Sequence, residues 1–274
     1  MNRAPARRRL LLAALLLLAT TLLARWLLAP AASGTLGGGG GTLSSPDLGA
    51  ALSPVPPAQS TPQRTSGASV RVMPLGDSLT HGYTIPGGYR IELWAALAAA
   101  GLDVDFVGSQ RHGPPDLADI DHEGHSGWRI DHLARSVDGW LQASAPDIIL
   151  LMIGSNDMLL DYDVAGAPDR LGALLDQIAT TLPDAHILVA SIPPVGPGDD
   201  DQLQRIQAYN AALPAVVSAR AAQGQRVRFV DIYGVIEPTD VDADGTHMNA
   251  SGNAKMASAW YAALQALLVG DAHP

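Results

Sequence analysis

The sequence predicts an α/β domain over residues 69–270: a three-layer α/β/α sandwich around a five-stranded parallel sheet, with the flavodoxin-like strand order 2-1-3-4-5. Three observations predict it. From Ser69 onward, short apolar runs alternate with longer segments of helical period. The runs are almost continuously apolar, as strands covered on both faces are, and do not alternate with polar residues. Strand–helix–strand crossovers are right-handed, which makes this order the default for an open parallel sheet.

The strands fall at Val70–Leu75, Val104–Gly108, Ile148–Ile153, His186–Ser191 and Val227–Asp231. Helical patterns lie at Tyr89–Ala100, Ile130–Leu141, Asp169–Thr181, Leu203–Ala222 and Ser251–Leu268. The last of these sets Ala257, Trp260, Tyr261, Leu264 and Leu268 on one face. Pro214 falls inside the fourth helix, where its missing N–H is expected to kink or split it. No internal repeat is present.

The first 68 residues read differently. Arg3, Arg7, Arg8 and Arg9 precede an apolar run, Leu10–Ala24, of 15 residues, with small residues Ala29, Ala31 and Ala32 beyond it. That is the layout of a signal peptide and is short for a membrane span. Residues 1–32 are therefore expected to be a signal peptide or an uncleaved N-terminal membrane anchor with its amino end inside, and both readings export the remainder. Arg7-Arg8 ahead of Leu10-Leu11 also loosely fits a twin-arginine signal. Residues 33–68 are rich in Gly, Ser, Thr and Pro, with Gly37–Gly41 continuous, and read as a disordered linker.

Charge narrows the partners. Residues 1–68 carry six arginines against Asp47, a net of +5, so the remainder carries −15 of the total −10. A domain that acidic repels nucleic acid and anionic membrane surfaces and suits a neutral substrate. The absence of cysteine excludes a disulfide framework, a thiolate metal site, a cysteine nucleophile and a lipid anchor on cysteine.

Four segments carry chemistry. Gly76-Asp77-Ser78 ends the first strand abruptly and puts a hydroxyl at the carboxyl edge of the sheet, where open α/β folds build their sites. Asp121–Ile130, DHEGHSGWRI, is expected as the loop after the second strand, and Ile153–Met158, IGSNDM, follows the third. Asp242–Gly252, DADGTHMNASG, precedes the last helix. Acyl transfer needs a nucleophile, a base, a group that orients the base, and donors for an oxyanion. Ser78 offers the nucleophile, His247 the base, and Asp244 a carboxylate three residues away that a short turn brings to the imidazole. The Ser78 amide, the Gly127 amide and the Asn156 side chain offer the donors, with Gly124 as a second glycine in the same block. Taken singly, each has a plainer reading: a helix-capping serine, solvated loop residues, a turn asparagine, a glycine serving a left-handed φ. Trp128 either stacks on a sugar or fills the core. The histidines His81, His112, His122, His125 and His132 have no spacing that closes a metal site, and no EF-hand loop is present.

GDS at Gly76–Ser78, the glycine of SGW at Gly127, G-x-N-D at Gly154–Asp157 and D-x-x-H at Asp244–His247 resemble the four blocks of the SGNH, or GDSL-type, hydrolases. With PGGYR (Pro86–Arg90) and DFVGSQ (Asp105–Gln110), the chain looks like carbohydrate esterase family 3, the acetylxylan esterases, from about Val70 to Leu268. The resemblance implies the SGNH hydrolase fold and catalytic residues Ser78, Asp244 and His247. It also implies an oxyanion hole of Ser78, Gly127 and Asn156, with no metal or other cofactor. The expected function is a secreted serine esterase that removes O-acetyl groups from a polysaccharide such as acetylated xylan. The alternatives are a lipid or simple-ester hydrolase of the same superfamily and a non-catalytic carbohydrate-binding module. Oligomeric state is not indicated.

Overall fold

The residue runs that are apolar throughout become the centre of the sheet. In the computed structural model, which describes residues 68–196 and 200–270, strand β1 (Val70–Gly76) is buried from Val72 onward. Strand β5 (Ile148–Met152), buried along its whole length, pairs with it in parallel from Val72↔Ile148 to Gly76↔Met152. Strands β6 (His186–Ala190) and β7 (Val227–Val230) extend the sheet beyond β5, and β2 (Val104–Phe106) pairs with the first half of β1. These are the five expected strands, in the expected order 2-1-3-4-5. The expectations for residues 1–67, export segment and linker, lie outside the described residues.

Among the described residues the sheet nevertheless has seven strands. Asp121–Gly124, expected as loop, is strand β4, parallel to the second half of β1 through Leu75↔Glu123 and Gly76↔Gly124. A two-residue strand β3 (Gln110–Arg111) pairs antiparallel with it at the edge. The sequence hides β4 because Asp-His-Glu-Gly shows no apolar pattern, although His122 and Glu123 are fully buried. Their burial is sustained by hydrogen bonds instead: the His122 Nδ1 accepts from the Gly124 amide at 2.9 Å, and Glu123 accepts from Ser109.

The helices are α1 (Ser78–His81), α2 (Arg90–Ala99), α3 (Ile130–Ser144), α4 (Ser155–Leu159), α5 (Ala167–Thr181), α6 (Asp200–Ala221) and α7 (Ala250–Gly270). Helix α2 packs on α7 to form one layer, and α3, α5 and α6 pack in series to form the other. Helix α3 buries Ile130, Leu133, Val137 and Leu141, the three-and-four spacing of a single face. Helix α7 buries Met256, Ala257, Trp260, Leu264 and Leu267, so its face is rotated slightly from the expected one, leaving Tyr261 and Leu268 half-buried. Each such aliphatic side chain contributes about 1.5–3 kcal/mol. Helix α6 runs through Pro214 without splitting. The proline ring is exposed at the border of the buried face, and Ile206, Tyr209, Asn210, Leu213 and Val217 pack the helix on both sides of it. Among the described residues no helix is long and apolar enough to cross a membrane.

One polar residue ties the site-bearing edge together. Arg90, at the start of α2, is fully buried with no carboxylate bonded to it. Its guanidinium donates to the carbonyls of Thr80 and His81 on α1, His112 beyond β3, and Ile120 just before β4. Burial pulls its pKa down to about 10, where it is still charged at neutral pH. Removing it strands four carbonyls. Arg90→Met is therefore expected to cost about 3–5 kcal/mol, read as a lower urea midpoint at unchanged m-value. Arg90→Lys, which keeps the charge without the planar fork, should recover only part of that. A midpoint that Arg90→Met leaves unmoved would contradict the role.

Candidate active site

The site begins where β1 runs out of room. A Cβ on Gly76 would stand 2.3 Å from the Met152 carbonyl oxygen and 2.6 Å from the Thr80 hydroxyl, so only glycine fits there. Asp77 then caps α1, its Oδ1 accepting the Leu79 N–H at 3.0 Å. Ser78 is the first residue of α1, where amides have no intrahelical acceptor. The helix ends after one turn at Gly82, φ 78°, whose N–H donates back to the Ser78 carbonyl at 3.0 Å.

The carboxylate and imidazole arrive from the far end of the chain. Between Val241 and Met248, which form an isolated bridge, the backbone makes a tight excursion: the Asp242 amide donates to the His247 carbonyl at 2.7 Å and the Gly245 amide to the Asp242 carbonyl at 2.9 Å. The turn is fixed to the loop after β6 by the Gly196 N–H donating to the Gly245 carbonyl at 2.9 Å. Asp244 Oδ1 accepts the amides of Thr246 and His247, both at 2.9 Å. Its Oδ2 accepts the His247 Nδ1–H at 2.6 Å. That bond fixes the tautomer, leaving Nε2 to face the Ser78 Oγ at 2.8 Å across 169 residues of sequence. Partial burial opposes the charge on Asp244, but the His247 amide and imidazole and the Thr246 amide outweigh it and hold the carboxyl below the usual range. His247 keeps 13% of its side chain exposed and Asp244 39%, so the series opens to solvent along one side.

Gly127 and Asn156 reach the same edge by register. Gly76 is paired with Gly124 on one side and Met152 on the other, so Ser78, Gly127 and Asn156 all lie within four residues of the carboxyl ends of three adjacent strands. Gly127 sits at the third position of a turn closed by the Trp128 N–H donating to the His125 carbonyl at 3.1 Å. Its φ of 80° is the value a type II turn requires there. The Asn156 Nδ2 donates to the Trp128 carbonyl at 2.8 Å, which joins the third block to the second and commits only one of its two hydrogens. Gly124 is not an equivalent candidate. Its amide is taken by the His122 ring, and its backbone lies hard against His81.

Several residues that hold the site went unassigned in the sequence. The His125 ring stacks on Trp128, centroids 4.2 Å apart, and on Trp140, 4.6 Å apart, the two indoles lying 5.8 Å from each other, and its Nε2 meets Glu123 Oε1 at 2.6 Å. This fixes the residue that opens the Gly127 turn and commits Trp128 to packing rather than to an open platform. Buried Asp157 accepts from the Ile130 amide at 3.0 Å and from Arg170 at 2.9 Å, linking α3 to α4. Buried Asp77 is close enough to Ser155 for the hydroxyl to act on its charge, although the Asp77 Oδ2 and the Ser155 Oγ each lack a partner at hydrogen-bond distance. Among the described residues no group of three or more His, Asp or Glu side chains is disposed to hold a metal ion.

The sequence model of the GDSL-like Lipase/Acylhydrolase family matches residues 75–255. A multidomain esterase of Ruminococcus flavefaciens is 30% identical over 253 residues, covering 83% of this chain. The chain spans only 33–56% of the length of the curated relatives it matches, 33% in the case of that esterase. Among solved structures, a family 3 carbohydrate esterase of Clostridium thermocellum is 40% identical, with a TM-score of 0.63 over 71% of this chain and 94% of that one. An acetyl esterase solved with an acetate ion is 29% identical, with a TM-score of 0.65 over 73% of this chain and 99% of that one. With an open α/β sheet, a hydroxyl–imidazole–carboxylate series at its carboxyl edge and matches of this extent, the chain belongs to the GDSL-like lipase/acylhydrolase family and, within it, to the family 3 carbohydrate esterases.

Proposed function

We propose that the protein is a serine esterase that removes O-acetyl groups from a polysaccharide, with acetylated xylan as its substrate and an acetyl-Ser78 intermediate. The observation that carries this reading is the continuous series Asp244 Oδ2–His247 Nδ1, 2.6 Å, and His247 Nε2–Ser78 Oγ, 2.8 Å. Similarity to family 3 carbohydrate esterases supports a carbohydrate ester, and similarity to an acetyl esterase supports the acetyl group. The net negative charge of the domain suits a neutral glycan. The basic start and the apolar run Leu10–Ala24 support export to where such glycans are met.

His247 takes the Ser78 proton as Oγ bonds to the ester carbonyl carbon. The resulting oxyanion is received by the amides of Ser78 and Gly127 and by the Asn156 hydrogen not used by Trp128. The imidazolium, balanced by Asp244, gives its proton to the departing sugar oxygen as the C–O bond breaks, leaving acetyl-Ser78. Water then attacks the same carbon, its proton passing through His247 to Ser78 Oγ, and acetate departs. Acetate release from acetylated xylan, compared with other acetylated glycans and a long-chain ester, tests the assignment. Wild type is expected to favour acetylated xylan and Ser78→Ala to lose essentially all turnover. Equal rates in the two proteins would overturn it.

Gly127 offers a test of the oxyanion donors that sterics do not confuse. No heavy atom lies within 4 Å of a Cβ built there, so Gly127→Ala probes the positive φ alone. Alanine favours a type I turn, which reverses the 126–127 peptide and turns a carbonyl where the N–H stood. The expected loss is roughly 10²–10³ in kcat with little change in KM, and Asn156→Ala should fall similarly. Full rate in either variant would remove that donor from the mechanism.

Asp77 adds a pH dependence. Burial drives its carboxyl up to about 6, against the Leu79 N–H and the Ser155 hydroxyl, which lower it. The fold thus favours the neutral acid: that contribution is fully present below the unfolded value of 3.8 and is lost as pH rises through about 6. Relative to Asp77→Asn, which keeps the cap to Leu79 and removes the titration, wild type should lose on the order of 2–3 kcal/mol between pH 4 and 7. Urea midpoints at the two pH values measure it. Parallel changes in both proteins would contradict the shift.

A further inference from the structure

His247 lies against an aromatic ring that none of these steps uses. Tyr83 follows the cap Gly82, and the amides of both residues donate to the Ser78 carbonyl, at 3.0 and 3.1 Å. The ring is therefore carried on the same backbone turn as the candidate nucleophile. Its centroid is 5.0 Å from that of the His247 imidazole, with the planes tilted by 30°. Tyr83 is 62% exposed, so it adds little to the core. The segment behind it is closed on itself: the Gly88 N–H donates to the Ile85 carbonyl at 2.8 Å, and a Cβ on Gly82 would meet both atoms within 2.6 Å. A tyrosine placed this way is an exposed platform on a constrained loop.

The chemistry dictates which part of the substrate passes over it. The imidazolium must hand its proton to the oxygen of the departing alcohol. The alcohol therefore lies on the His247 side of the ester carbonyl, while the carbonyl oxygen points toward the donors of the other two loops. Whatever ring the alcohol oxygen belongs to meets the surface next to the imidazole, and that surface is Tyr83. A pyranose presents a face of C–H bonds, which an aromatic face receives well. The other aromatic near the site, Trp128, is already stacked on His125.

We propose that Tyr83 is the binding platform for the sugar ring that carries the acetyl group, and so a specificity-determining residue. The proposal rests on the reading of the protein as a carbohydrate esterase. Wild type, Tyr83→Ala and Tyr83→Trp are compared on acetylated xylooligosaccharides and on ethyl acetate, whose leaving group has no ring. The expected result is a fall of about five- to tenfold in the ratio of kcat/KM for the sugar ester to that for ethyl acetate in Tyr83→Ala, carried by KM. Tyr83→Trp should restore the ratio. An unchanged ratio in Tyr83→Ala would overturn the platform. So would an equal fall in kcat on both substrates, since that is what a ring serving only the imidazolium would give. A wild type active on ethyl acetate but inert on the sugar ester would overturn the carbohydrate reading and the platform with it.

Discussion

Gly76 is the point through which the rest of the site is held. It is hydrogen-bonded into the sheet on both sides, in register with Gly124 and with Met152, and has no space for even one more carbon. Because three strands end level with one another there, three turns open onto one edge. The first supplies Ser78, the second Gly127, the third Asn156. Shifting β4 or β5 by one residue would carry its turn about 3.3 Å along the strand direction, out of reach of a common carbonyl. The fourth contribution, the turn of Asp244 and His247, is brought to the same edge by the backbone bond between Gly196 and Gly245.

The buried polar groups around this edge fix geometry more than they add stability. Arg90 gathers four carbonyls from α1 and from both ends of the segment that joins β3 to β4. Glu123 and His125 fix the start of the Gly127 turn, and Asp157 ties α4 to the first residue of α3. Buried groups of this kind are costly when a partner is lost. The second and third blocks are therefore held against each other, as the bond from Asn156 to the Trp128 carbonyl also indicates. His122 is held neutral: burial, with Arg90 and the neighbouring histidines adding to it, pushes its pKa down to about 2, so its Nδ1 accepts the Gly124 amide while its Nε2 is buried without a partner.

Much of this was legible in the sequence, because apolar runs such as Ile148–Met152 admit few other structures. So was the expectation that Ser78, Asp244 and His247 come together, since a hydroxyl at a strand end and a carboxylate three residues from an imidazole are recognisable by type. What escaped was held by polar contacts. Strand β4 reads as Asp-His-Glu-Gly and is buried by its hydrogen bonds, so no hydrophobic pattern marks it. Helices α1 and α4, of four and five residues, are too short for a period to register. The role of Arg90 is not marked, because nothing in a sequence reveals that four carbonyls converge on one guanidinium. The resemblance already favours Gly127 over Gly124, and the structure adds a physical reason, since the Gly124 amide is occupied by the His122 ring. Trp128 and Tyr83 exchange the roles their residue types suggest: the tryptophan is spent on packing, and the tyrosine stands open beside the imidazole.

In the proposed mechanism a distant imidazole activates the hydroxyl at the end of β1. Mass mapping of the protein after reaction with a fluorophosphonate probe tests it directly. A single adduct on the peptide bearing Ser78 is expected in wild type, and none in His247→Ala. An adduct on another residue, or labelling of Ser78 at an undiminished rate without His247, would contradict it.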